Sequence, residues 1–278
     1  MISFPLLPIN KNYSLRSTSS NLLRLGSDEQ WLEHIEAALL ENRFCLYLRE
    51  INALATLDTQ RAYDILLVLI TEEGQKIPAE VFQPIAERYG FGAKLNDWMI
   101  ETLIQCLSQI SAQRLENYRL TIPLSRSSLQ DYQWLEMIDS HLNHLGIYKD
   151  SIGFELSENM ALSDLVTTSE LMIHLQTLGY RLTLDNCGSQ MVSFSYLQYL
   201  PVDYLKISEQ FVRAMHEDLT DRAIVEMIHY LAQTMGLQTI AKGVDSADIL
   251  KMVISLGIDY GQGRYLTDSR LLDFKQLR

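Results

Sequence analysis

The sequence predicts an α/β fold, a (β/α)8 barrel of the TIM type. Three observations carry that prediction. Short apolar runs alternate with amphipathic helical stretches through the second half of the chain, which implies right-handed crossovers and a parallel sheet. The number of such units suits a closed barrel better than an open sheet. Polar and ionisable residues recur where successive strands end, the rim on which barrels of this kind build their sites.

The elements follow in chain order. Residues 1–26 are polar and serine-rich and read as an N-terminal tail or linker, so the folded domain is predicted over 27–278. Ser27 followed by Gln30 makes a capping box, and behind it Trp31, Ile35, Ala38 and Leu39 fall at helical spacing. Strands are predicted over 44–49 and 63–70, the second apolar almost throughout and therefore buried on both faces. Pro78 opens a helix that closes near Gly90, and a second helix is predicted over 95–111. A strand over 119–124 and a helix over 134–145 precede the regular alternation. There the strands are 151–156, 180–184, 204–207, 238–241 and 258–260, with helices over 165–178, 193–199, 220–235 and 247–256.

Composition bounds the function. The 278 residues carry 35 acidic and 23 basic side chains, a formal net charge of −12, which argues against a nucleic-acid partner. Cys45, Cys106 and Cys187 are widely spaced, so neither a disulfide framework nor a structural zinc site is expected, and the thiols suit a reducing cytoplasm. No apolar run approaches the roughly 20 residues of a membrane helix. The apolar stretch 2–9 is short, broken by Pro5 and Pro8, and does not read as a signal peptide.

The strand ends deliver Glu155, Asp185 with Asn186, Lys206, Lys242 and Gln262 to one rim. Any one of them is explained by the wetness of strand ends. As a set, carboxylates interleaved with lysines describe a polar pocket, present or ancestral.

The same residues carry a family resemblance. Residues 182–212, LTLDNCGSQMVSFSYLQYLPVDYLKISEQFV, resemble the Asp-Asp-Phe-Gly-Thr-Gly loop and the Leu-Pro-(Val/Ile)-Asp-x-(Leu/Ile)-Lys segment of EAL domains, the bacterial cyclic di-GMP phosphodiesterases. FELSEN at 154–159 resembles their Glu-Leu-Thr-Glu-Ser stretch, IAKGVD at 240–245 their Ala-Glu-Gly-Val-Glu, and DYGQG at 259–263 their Asp-x-x-Gln-Gly. IPAEVFQPIAERYG at 77–90 is similar to the helix after their signature strand, and the likeness runs in order over residues 28–268. It implies a barrel whose first strand is antiparallel to the rest. It also implies a two-metal ancestral chemistry, in which Mg²⁺ or Mn²⁺ held by oxygen ligands hydrolyses cyclic di-GMP to linear pGpG.

Carried over residue by residue, the resemblance points to a degenerate member. YDILLVL at 63–69 stands at the Glu-Ala-Leu-Leu-Arg signature, with Asp64 for its Glu and Val68 for its Arg. A metal-binding Asn falls at Pro123, which has no side-chain oxygen. Glu155, Asp185, Lys206 and Gln262 are kept, whereas the second Asp of the pair is Asn186. The Glu of Ala-Glu-Gly-Val-Glu is Lys242, a cation in place of a ligand, from which an ion pair of Lys242 with Glu155 or Asp185 is expected where the family has metals. Asp245 stands for the glutamate that anchors the Asn186–Gln190 loop. Arg49 replaces a ligand-contacting Gln.

These departures predict no intact catalytic set, no metal or other cofactor, and no hydrolysis. The expected function is that of an inactive EAL-like domain of cyclic di-GMP signalling that works through contact with a regulatory protein. A non-hydrolysing cyclic di-GMP receptor is the alternative, with Arg49, Lys206 and Gln262 as ligand-binding candidates for weak binding, and a weak phosphodiesterase ranks behind it. The resemblance further implies a homodimer formed through residues 186–199.

Overall fold

A computed structural model describes residues 27–55, 60–129, 132–190, 193–267 and 269–272. The predicted tail, 1–26, lies outside them. Helix α1 (Asp28–Leu40) starts where the Ser27 N–H donates to Gln30 Oε1 at 3.0 Å, as the capping-box spacing requires, and it buries Trp31, Ile35 and Ala38.

The chain then enters the barrel. Strand β1 (Phe44–Ala53) pairs antiparallel with β2 (Arg61–Ile70), from Phe44 opposite Leu69 to Ile51 opposite Ala62. A short strand, β3 (Lys76–Pro78), edges β2, and Pro78 caps α2 (Ala79–Arg88) from there. Helix α3 (Gly92–Leu107) and the short α4 (Ala112–Leu115) follow, so the helix predicted over 95–111 begins earlier, at Gly92, and ends earlier, at Leu107.

From β4 (Tyr118–Pro123) onward strand and helix alternate: α5 (Gln133–His144), β5 (Ile152–Ser157), α6 (Glu158–Ser163), α7 (Leu165–Leu178), β6 (Arg181–Cys187), a 3₁₀ turn at Phe194–Tyr199, β7 (Tyr204–Ile207), α8 (Glu209–Ala214), α9 (Leu219–Met235), β8 (Gln238–Lys242), α10 (Ala247–Ser255) and β9 (Tyr260–Gln262). Helix ends obey local chemistry. Asp164 and Asp218 cap α7 and α9, which end at Gly179 and Gly236 in the left-handed region that glycine tolerates.

Strands β2, β4, β5, β6, β7, β8 and β9 run parallel in that order, and β9 returns to β1 antiparallel at Asn52 opposite Gly261. Eight strands therefore close a barrel with one strand reversed, as the resemblance implied. A further short strand, β10 (Arg270–Leu271), pairs antiparallel with β1 at Tyr47 and Leu48. At the N-terminal end of the parallel strands the interior is filled by Ile51, Ala62, Tyr204, Ile240 and Tyr260. Arg119 completes this floor: its Nη1 donates to the Tyr204 hydroxyl at 2.6 Å and its guanidinium lies 4.5 Å from the centre of the Tyr204 ring. The opposite end is left to polar side chains.

Candidate active site at the C-terminal rim

Register decides which side chains meet inside the barrel. Pro123 stands opposite Glu155, Ser157 opposite Asp185, Lys206 opposite Ile240, and Lys242 opposite Gln262, so alternate residues of neighbouring strands share the interior. Two ammonium groups organise the result. Lys206, 1% exposed, donates from Nζ to Asp64 Oδ1 at 2.7 Å and to Glu155 Oε2. Lys242 donates to both oxygens of Asp185, at 2.7 and 2.8 Å, and to Asn186 Oδ1 at 2.9 Å. Gln262 joins the Lys206 group to β9 by donating from Nε2 to Asp64 Oδ2 at 2.7 Å. Its Oε1 is buried and has no hydrogen-bond partner among the described residues.

The charges read one another across a largely buried layer. Burial pushes the Glu155 carboxyl up to about 7; Lys206 offsets only part of this, and the Asp185 and Asp64 carboxylates add to it. Burial acts on Asp185 in the same sense, but Lys242 and then Lys206 outweigh it and hold Asp185 below the usual carboxylate range. Burial lowers the Lys206 ammonium, and Asp64, Glu155 and Asp185 more than reverse that, keeping it charged well above neutral pH.

The loop after β6 is fixed from two sides. Asn186 takes a left-handed φ of 59°, and Gly188 one of 87°. On the far side Glu158, fully buried, accepts from the Gly188 N–H at 3.2 Å, the Gln190 N–H at 3.0 Å and the Ser189 hydroxyl at 3.1 Å, and pairs with the Tyr196 hydroxyl.

This arrangement corrects one expectation. Asp245 does not anchor the loop. It accepts instead from Arg213 Nε at 2.9 Å and from the Arg264 N–H and Nη2 at 3.0 and 3.1 Å. Glu158, the acidic residue in the first turn of α6, holds the loop in its place; the FELSEN stretch contained it, but its partners lie 30 to 38 residues away. Lys242 selects Asp185 of the two acids considered for it, and Glu155 goes to Lys206. Strand β6 reaches Cys187, so Asp185 and Asn186 lie inside a strand predicted to stop at 184. Arg49 stands opposite Asp64 in the β1–β2 pair and comes within 3.9 Å of Glu80. Pro123 ends β4 with no side-chain oxygen to offer. Among the described residues no group of three or more His, Cys, Asp or Glu side chains is arranged to hold a metal ion.

Comparison with known proteins fits this geometry. The profile of the EAL domain matches residues 32–269. The chain belongs to the EAL domain family. Relatives of this EAL domain include the cyclic di-GMP phosphodiesterase PdeB of Shewanella oneidensis, 29% identical over 84% of this chain and 27% of that protein. The cyclic di-GMP phosphodiesterase PdeF of Escherichia coli is 28% identical over 84% of this chain and 30% of that protein. The chain thus spans under a third of the length of these two relatives. Among solved structures, the EAL domain of FimX from Pseudomonas aeruginosa bound to cyclic di-GMP superposes with a TM-score of 0.77 at 26% identity, covering 86% of this chain and 96% of that one. No helix of the described residues is long and apolar enough to cross a membrane.

Proposed function

We propose that this EAL domain does not hydrolyse cyclic di-GMP and serves cyclic di-GMP signalling through contact with a protein partner. One observation carries the reading: the Lys242 ammonium sits on both Asp185 oxygens and on Asn186 Oδ1. EAL phosphodiesterases use Mg²⁺ or Mn²⁺, and hard dications need a set of anionic or neutral oxygens free to turn inward. Here Asp185 is engaged by Lys242, Glu155 and Asp64 by Lys206, and position 123 offers no donor. A dication about 4 Å from an ammonium meets about 8 kcal/mol of repulsion at an effective dielectric constant of about 20. The residues present do not fit the metals of the family.

A second reading, a receptor that binds cyclic di-GMP without cleaving it, draws support from the ligand-bound FimX EAL domain and from the half-buried Arg49. Calorimetric titration of the protein with cyclic di-GMP, with and without Mn²⁺, followed by chromatography for pGpG, separates the cases. Neither heat nor product is the outcome of the protein-contact reading; heat alone favours the receptor; pGpG overturns both. Homodimerisation through residues 186–199 belongs to the same proposal, and a sedimentation experiment that shows only monomer at high concentration contradicts it.

A further inference from the structure

The trio Asp185, Asn186 and Lys242 has a second role that does not reduce to the loss of chemistry. We infer that Lys242 is a positioning residue whose ammonium acts as a resident cation, holding the start of the 186–190 loop in place without any ion or ligand. The inference deepens the proposed function and rests on Lys242 occupying the ligand side chains.

Asn186 is one of two non-glycine residues with positive φ among the described residues, a left-handed conformation that asparagine adopts more readily than other side chains and that a contact to its amide can hold. Its support is Lys242 Nζ, 2.9 Å from its Oδ1, with the same ammonium fixed by both oxygens of Asp185 next door. The Asn186 carbonyl in turn accepts from the Ser189 N–H at 3.1 Å, closing the turn through Gly188. The far side of the turn hangs on Glu158. Space is tight as well: a Cβ at Gly188 would lie 2.8 Å from Ile228 Cδ1 and 3.1 Å from Phe211 Cε2, so the turn is pressed against α9 and α8. The two substitutions fit each other. One carboxylate, one amide and one ammonium form a neutral set in which the single cation makes three charge-assisted contacts. With aspartate at 186 and glutamate at 242 the same positions would present three carboxylates, and the turn would need an added cation.

Hydrogen exchange at the Ser189 amide reads the tether directly. In the K242M variant its exchange is expected to accelerate tenfold or more while β4 and β5 amides keep their protection, and K242R is expected to restore most of the wild-type value. Adding Mn²⁺ at millimolar concentration leaves the wild-type exchange unchanged. The double variant N186D/K242E is expected to exchange fast without metal and to regain at least tenfold protection on adding Mn²⁺. Unchanged Ser189 exchange in a folded K242M protein overturns the inference, as does Mn²⁺-dependent protection of the wild type. Should K242M fail to fold, the double variant with and without Mn²⁺ decides alone: protection without metal overturns the tether. Formation of pGpG would overturn the proposed function but leaves these exchange rates to be judged separately.

Discussion

Lys206 and Glu155 show how much a single buried charge can govern. Lys206 is sequestered with two carboxylates, so truncating it leaves both without their cation in a low-dielectric interior, Asp64 keeping the Gln262 amide. Lys206→Met is expected to destabilise the domain by about 3–5 kcal/mol in urea denaturation, the usual penalty for breaking rather than replacing a buried pair. Glu155 gives a pH signature of defined sign. Its folded value is raised from 4.5 to about 7, so the folded state binds the extra proton and stability falls as pH climbs through that window. Glu155 should account for up to about 3 kcal/mol of loss between pH 4.5 and 7, and Glu155→Gln should flatten that part of the curve. At this scale the sequence was informative wherever a side chain's charge alone constrains its neighbours. Lys242 had to find an acid, and it found Asp185. It was uninformative for Glu158, because nothing local distinguishes a carboxylate that stabilises its own helix start from one that reaches a loop 30 residues on.

At the scale of elements, close backbone approach sets the limits. Gly263 follows β9, where the Val244 N–H donates to the Gln262 carbonyl at 3.0 Å, and a Cβ there would lie 2.3 Å from the Val244 carbonyl oxygen. Backbone cannot yield as a side chain can, so Gly263→Ala is expected to cost about 2–4 kcal/mol, measured by thermal or chemical unfolding. Period and punctuation made most elements readable: β7 and α7 occupy the predicted residues, and most other boundaries move by a few. The short β3 and β10 escaped, since two or three residues carry no periodicity. Strand direction escaped too. The apolar pattern of β1 is the same read either way, and only the family likeness implied its reversal.

For the molecule as a whole, β1 closes the ring by touching β2 on one side and β9 on the other, so the first and last thirds of the chain stabilise each other. Unfolding is therefore expected to be one cooperative event. Far-UV circular dichroism and the fluorescence of Trp31, Trp98 and Trp134 should trace coincident thermal transitions, and a split between them would show independent halves. The net charge of −12 spoke for partners at long range and said nothing of the interior, where acids and lysines pair one by one. The aromatic floor adds a last consequence. Tyr204, Tyr260 and Arg119 lie buried at one end, and the polar layer keeps its partial exposure at Glu155, Asp185 and Lys242. Three carboxylates and two ammonium groups leave that layer with at most one negative charge. An approaching anion gains little electrostatic guidance from that layer, so the ionic-strength dependence of its association rate should be set by the charges outside it, the net −12 of the chain included.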